Sequence, residues 1–422
     1  MKSQRSTLNV KELAPLLAVG IAGFYFIISG IIINGVIQII AFSSIVFLSL
    51  IISRGVHFST TDLLLALSVI PFFYSINEWN ISAIRDLVGY VAFVALVIFA
   101  KVETNNVDRA IRLLYSIAVF HLIFIFINFL FRPIYNEIMR SILDYGAKIY
   151  FEKAIKGNYY TGFGYIPGDT SGYFVNGIIL LLFGDCLIKS KNKAIKVGLF
   201  FIGILLCAKK SHLLCLFLSI FITWIVSGRG SEKVKRIMGT VLLVVSLLTF
   251  CYIMLPFFTN IPMISRISVS LDNYINGKDF TSNRSHLTNI AMQMYNDNRI
   301  LGSGWKSFNR YTKEQWGYTN YVNNVYLQIA TETGIIGLFL FIMPLIIILI
   351  KTYRKLKNTL NNKSNHNVYS IKYIQLSFTL QLFFLLYCFL EIPFYDYTFL
   401  LIYGFAIVIS NCTNLVFEEQ KP

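Results

Sequence analysis

The sequence predicts an all-α integral membrane protein of about 12 transmembrane helices, with a large extracytoplasmic loop between the ninth and tenth spans. Three observations predict it. Of the 422 residues, 56% are apolar, and these fall in repeated uncharged runs. Only 14% are charged, against about 25% in an ordinary soluble domain, and mean hydropathy is +0.63. The basic clusters fall on alternate connections between the runs, as cytoplasmic loops require. A soluble enzyme is excluded, and residues 1–422 read as one polytopic membrane domain.

The uncharged runs, in order, are Leu13–Ile33, Val36–Ile52, Leu63–Ile76, Leu87–Ala100, Ile111–Phe131, Tyr173–Leu187, Val197–Cys207, Leu213–Val226, Ile237–Phe258, Val325–Ile350, Leu376–Leu390 and Tyr397–Ile409. The first follows Lys2, Arg5 and Lys11, and further spans come directly after it, so it reads as a retained signal-anchor helix. With the N-terminus in the cytoplasm, the clusters at Lys189–Lys196, Arg229–Arg236 and Lys351–Lys363 all fall inside, and both termini are cytoplasmic. Of the 37 basic and 21 acidic residues, 22 and 8 lie on that side or at its span ends. Most of the formal charge of +16 therefore reports orientation and does not call for a nucleic-acid partner. The six cysteines sit in or beside apolar runs, with no metal-ligand spacing, and read as small hydrophobes.

Two long connections lie outside, residues 132–172 and 259–323. The second interleaves aromatics, among them Trp305 and Trp316, with Arg284, Arg299, Lys306, Arg310 and Lys313. Aromatic faces stack on sugar rings and cations hold phosphates; the competing reading is an interfacial belt with snorkelling cations. A short outside turn, Ala208-Lys209-Lys210-Ser211, places two lysines at the edge of the hydrocarbon. There they need an anionic partner or must snorkel to lipid headgroups.

Within the large loop, Ser282 or Asn283 can cap a helix running to about Asn296. Leu287, Ile290, Ala291 and Met294 form its apolar stripe, and Arg284 shares that face near the helix start. His286 falls on the opposite, solvent-facing side. Asn324, Gln328 and Glu332 recur every fourth residue at the head of the tenth span, a polar stripe that must face a cavity or the bundle interior. Asn323 and Asn324 read equally well as helix caps.

These residues carry a resemblance. The Arg-bearing helix, then Asp297-Asn298-Arg299-Ile300-Leu301-Gly302-Ser303-Gly304, then Asn324-Val325-Tyr326-Leu327-Gln328 and Glu332-Thr333-Gly334-Ile335-Ile336-Gly337 resemble the core of the O-antigen ligase/polymerase family. Tyr160-Thr161-Gly162-Phe163 through Pro167-Gly168-Asp169 resembles an earlier stretch of that family, and Lys209-Lys210-Ser211 falls where it commonly has a Ser-Arg pair. The resemblance covers roughly residues 160–350. It implies an inverting, metal-independent glycosyltransferase of the bacterial inner or cytoplasmic membrane, without cofactor, acting on the extracytoplasmic face. The implied partners are an undecaprenyl-diphosphate-linked glycan, membrane lipid and a chain-length regulator protein.

By position, Arg284 matches the family's essential loop arginine, and Lys209 or Lys210 stands in for the other. Lys209, Lys210, Arg284 and Arg299 are expected on the diphosphate, and Asn323, Asn324, Trp305 and Tyr326 on the glycan. Asn323 stands where the ligases have a His, which favours a polymerase of lipid-linked repeat units over a ligase. Among the outside carboxylates Asp169, Glu332, Glu391 and Asp396, the first two are expected to act on the acceptor hydroxyl, with Arg284 the third catalytic residue. Glu391 reads as a packing residue. A flippase would need ionisable residues inside several spans and paired repeats; here His121 is the clearest interior polar group. A lipid-sugar transferase with acids in its first outside loop fails on Asn34-Gly35, and an ion channel gives the large loop no role.

Overall fold

The computed structural model describes residues 35–52, 59–74, 81–100, 104–184, 191–228, 262–277, 284–361 and 368–412, with positions 21, 25–27, 31, 235 and 238. The expected spans Leu13–Ile33 and Ile237–Phe258, the caps Ser282 and Asn283, and most of the Arg229–Arg236 cluster lie largely or wholly outside the described residues. The described residues form helices and no strands. Three helices are long and apolar enough to cross a membrane: Ile81–Phe99, Val107–Leu130 within a longer helix, and Val325–Asn361. Shorter apolar helices are Gly35–Ile51, Thr60–Tyr74, Lys210–Val226, Ile371–Tyr387 and Tyr397–Cys412.

In chain order the helices are α1 (Gly35–Ile52), α2 (Thr60–Leu67), α3 (Ile70–Tyr74), α4 (Ile81–Phe99), α5 (Thr104–Leu130), α6 (Arg132–Ile142), α7 (Tyr145–Lys156) and α8 (Pro167–Phe183). There follow α9 (Lys193–Cys207), α10 (Lys210–Val226), α11 (Pro262–Ile275), α12 (Arg284–Asp297), α13 (Ser307–Trp316), α14 (Val325–Asn361), α15 (Val368–Tyr387) and α16 (Tyr397–Cys412). The expected span Leu63–Ile76 is two helices, because Pro71 supplies no amide hydrogen and disfavours helical backbone before it. The hydroxyl of Ser68 at that break meets the Tyr90 hydroxyl at 2.6 Å. The connection 132–172 is itself largely helical, with Asp144 capping α7 by accepting from the Ala147 amide at 2.7 Å.

One core runs through the bundle. α1 packs on α4, α4 on α16, α16 on α15, and α15 on α8, α10 and α14. Close approach comes from small residues set against rings, as expected where apolar lipid gives helices no hydrophobic reason to associate. A Cβ on Gly89 would lie 2.3 Å from the Tyr397 ring, and one on Gly172 would lie 2.1 Å from that of Phe399. Side-chain contacts group the helix ends into two sets. Thr61 meets Lys351, Ser410 meets Lys355, Asp108 meets Tyr373 and Ser227 meets Gln375 on one side. On the other, Asp86 meets Lys306 and Tyr397, and Arg284 meets Glu391.

The feature that positions the site is a break in α14. Gly334 takes φ 68° and ψ −172°, so residues 325–333 form a short helix set off from the long one. The loop after α12 crosses this break. Ser303 and Gly304 donate backbone bonds to Thr331 and Glu332 at 2.9 Å, and Ile335 donates to Arg299 at 2.8 Å. A Cβ on Gly334 would lie 2.1 Å from the Ile300 carbonyl oxygen, and one on Gly302 would lie 2.5 Å from backbone atoms of Glu332. The two glycine motifs singled out in the sequence are thus the two sides of one backbone contact. Gly334→Ala is expected to destabilise the protein by ~1–3 kcal/mol from backbone strain alone, read as a lowered melting temperature in detergent. Gly198→Ala, with nothing within 4 Å of the new methyl, is expected to leave the melting temperature unchanged or raise it.

Candidate functional site

Two adjoining cavities lie at the end of the bundle where Asp86, Arg284 and Glu391 gather. The larger, about 950 Å³, is lined by Lys209, Lys210, Arg266, Arg284 and His286, with Trp316 among its aromatics. The smaller, about 330 Å³, is lined by tyrosines with Asp169, Asp396 and Arg85. Lys209, Asn323 and Glu391 line both.

The lysines owe their place to a tight turn. Helix α9 ends at Ala208, which takes the left-handed conformation at φ 55°, and α10 restarts at Lys210. Lys210 Nζ donates to Ser270 Oγ at 2.8 Å. Arg284 is the first residue of α12, whose stripe Leu287, Ile290 and Ala291 is buried against Phe308 and Val322. That burial turns Arg284 inward, where it donates to Glu391 Oε1 at 2.7 Å and to the Leu390 carbonyl at 3.0 Å. Ser211 donates to the same carboxylate oxygen at 3.2 Å. Glu391 therefore ties the lysine turn, α12 and the α15–α16 connection together, a role beyond the packing expected of it. Lys210 and Arg284 are close enough for their charges to repel. His286 is exposed as expected, yet it borders the larger cavity, with its ring 5.8 Å from Trp316.

The other expected residues are placed differently. Asn324 is a cap, its side-chain oxygen accepting from the Leu327 amide at 3.1 Å. Glu332 is fully buried and borders neither cavity. Gln328 Nε2 donates to one of its oxygens at 2.6 Å, and the Tyr395 hydroxyl donates to the other at 3.4 Å. The polar stripe faces the bundle interior because the Gly334 break and the bonds from residues 303–304 seal it there. The side chain of Arg299 is exposed and away from both cavities; its carbonyl serves the break. Trp305 is a core residue, stacked 5.6 Å from Tyr395 and edge-on 4.5 Å from Phe72. Tyr326 spends its hydroxyl on the Leu385 carbonyl at 2.9 Å. Of the four expected glycan contacts, only Asn323 lines a cavity.

Asp169 sits in the first turn of α8 beside Asp396. Burial raises the Asp169 pKa well above the carboxylate range, and the neighbouring Asp396 charge raises it further. Two carboxyls in such contact share one proton. Lys209 lies over the preceding residue, its Nζ 3.7 Å from a Cβ built on Gly168.

One cluster was not anticipated. The Lys306 ammonium is ion-paired with Asp86, donates to the Tyr321 hydroxyl at 3.1 Å and lies over the Tyr321 and Tyr395 rings at 5.0 Å. Arg85 Nε donates to the other Asp86 oxygen at 3.0 Å, and Tyr397 donates to it as well. Burial alone would lower the Lys306 pKa; the Asp86 charge outweighs it, and the net shift is upward. The signal available was an acid–base pair at the edge of an apolar run, facing a lysine in the aromatic stretch. Among the described residues, no group of three or more His, Cys, Asp or Glu could hold a metal ion.

The apolar helices define a multi-pass membrane protein, with a basic cavity at one end of them. Residues 194–342 match the family model described as O-antigen ligase, which supports a relation to the O-antigen ligase/polymerase family over that segment. No curated protein matches it. Members are membrane glycosyltransferase-like enzymes of surface-polysaccharide synthesis, with lipid-linked polysaccharide as substrate.

Removing one partner of a buried ion pair strands the other charge. Asp86→Ala is therefore expected to cost ~3–5 kcal/mol. Arg140→Ala, which breaks the exposed pair with Glu152 at 2.6 Å, is expected to cost under about 1 kcal/mol. Denaturation of the two variants in the same detergent compares them.

Proposed function

We propose that the protein polymerises lipid-linked oligosaccharide repeat units, moving the growing glycan from undecaprenyl diphosphate to a sugar hydroxyl of the next unit on the extracytoplasmic face of a bacterial cell membrane. One observation carries this reading. Lys209, Lys210 and Arg284, separated by more than seventy residues in sequence, line one cavity of about 950 Å³, and all three fall inside the matched segment 194–342.

The chemistry follows from charge. Breaking the bond between the donor sugar and its diphosphate puts negative charge on the departing phosphate oxygen. Cations already fixed beside that oxygen stabilise the transition state without reorganising at the moment of reaction. Arg284 can hold two phosphate oxygens through its planar fork, whereas each lysine acts as a point charge, so the adjacent pair shares the task. Inversion at the sugar carbon follows if the acceptor hydroxyl attacks from the face opposite the cations. Asn323, on the wall common to both cavities, stands where the resembling ligases carry a His. An amide can orient a hydroxyl but cannot take its proton, which favours the polymerase branch over transfer to a lipid acceptor.

Purified protein given lipid-linked repeat unit extracted from cells deleted for its gene is expected to form a ladder of products on a gel. A single transfer to another lipid would identify a ligase, and no product would refute the enzymatic reading. Arg284→Ala is expected to slow ladder formation about 100-fold, equivalent to ~3 kcal/mol in the barrier. Arg284→Ala cells that keep polymer-length chains at normal expression would overturn the assignment.

A further inference from the structure

The smaller cavity differs from the larger in ways that point to a different ligand. Its walls are tyrosines, including Tyr165, Tyr387 and Tyr395, and its acids are Asp169 and Asp396, with Glu391 and Lys209 at the junction and Arg85 the further cation. A diphosphate would be repelled by the carboxyl pair, whereas a neutral, hydroxyl-rich ring finds aromatic faces and hydrogen-bond partners. The volume of about 330 Å³ is at the lower end of ligand pockets, enough for a terminal sugar and not for a long chain. Gln38 also lines it, and its side-chain oxygen is buried with no hydrogen-bond partner among the described residues. The two cavities meet at Lys209, Asn323 and Glu391, so a ligand in each would bring its end to the same place.

We infer that the smaller cavity is the acceptor subsite, that it takes the terminal sugar of the accepting unit, and that the Asp169–Asp396 pair receives the proton of the attacking hydroxyl. The inference rests on the polymerase reading and deepens it. In the step, the acceptor oxygen forms its bond to the donor sugar's anomeric carbon as that carbon's bond to the phosphate oxygen breaks. The electron pair of the broken bond leaves on undecaprenyl diphosphate, beside Arg284, Lys209 and Lys210. The hydroxyl proton passes to the ionised member of the carboxyl pair and afterwards to solvent. Burial and the neighbouring Asp396 charge push the Asp169 pKa well up, so Asp169 holds the shared proton and Asp396 is the ionised member that accepts. Glu391 is held by Arg284 and Ser211 and Glu332 is sealed in the bundle, which leaves this pair as the carboxyls that face the smaller cavity without a basic partner bonded to them.

The test separates transfer from donor binding. Asp169→Asn and Asp396→Asn are each expected to slow ladder formation at least 100-fold. Their affinity for undecaprenyl diphosphate, read from tryptophan fluorescence because Trp316 lines the larger cavity, is expected to stay within threefold of wild type. Gly168→Leu checks the cavity by a route that leaves both carboxyls in place. Its new Cβ meets only ordinary contacts of 3.5 Å or more, and it is expected to require at least tenfold more repeat unit for the same ladder. Asp variants that retain the ladder, or that lose undecaprenyl diphosphate affinity in step with it, would overturn the inference while the polymerase reading stands. A wild-type protein that forms no ladder would overturn that reading and the inference with it.

Discussion

A charge at the end of an apolar bundle must find a partner inside the protein, and the end of this molecule that carries the two cavities is organised by that requirement. Three acids and their partners bring together segments far apart in sequence. Asp86 at the head of α4 receives Lys306 from the large loop and Tyr397 from α16. Glu391, between α15 and α16, receives Arg284 from α12 and Ser211 from α10. Asp169 of α8 meets Asp396. Each set joins a helix to the α15–α16 connection or its flanks, so that connection becomes the floor on which both cavities rest.

Much of this could be read from the sequence, and the parts that could not share a cause. The apolar stripe of α12 follows from helical periodicity, and with it the inward turn of Arg284. The tight turn at Lys209 and Lys210 follows from two apolar runs separated by five residues. What periodicity cannot supply is which residues meet across the bundle: nothing local in the sequence says that Glu391 accepts from a residue 107 positions earlier. Glu332 shows the same limit from the other side. A polar stripe must face a cavity or the interior, and only the Gly334 break, with the backbone bonds from Ser303 and Gly304, decides for the interior. The break was visible only as a glycine motif, because a residue with no side chain gives no sign of which backbone approaches it.

The matched segment holds most of the site's cations and none of the acids that line its cavities. Lys209, Lys210, Arg284, Lys306 and Asn323 lie within residues 194–342. Asp86, Asp169, Glu391 and Asp396 all lie outside it, contributed by helices and connections on either side. The acids that partner those cations, and most of the tyrosine-walled cavity beside them, come from the flanking segments.

The two cation–carboxylate contacts at this end differ in a way that fits separate tasks. The Lys306 and Asp86 side chains are 10% and 2% exposed. Parting them would leave a charge stranded in a low-dielectric interior, so the contact acts as a fixed strut between loop and bundle. The Arg284 side chain is 42% exposed and Glu391 11%. Solvent screens a pair of that kind, and its net contribution is small, typically below about 1 kcal/mol. On the proposed function, an arriving phosphate would replace Glu391 on Arg284 at little cost, because the new partner carries more charge and matches the guanidinium fork equally well. Glu391 lines both cavities, so on that reading the carboxylate so displaced would turn a repelling charge toward a second diphosphate and favour a neutral sugar in the smaller cavity.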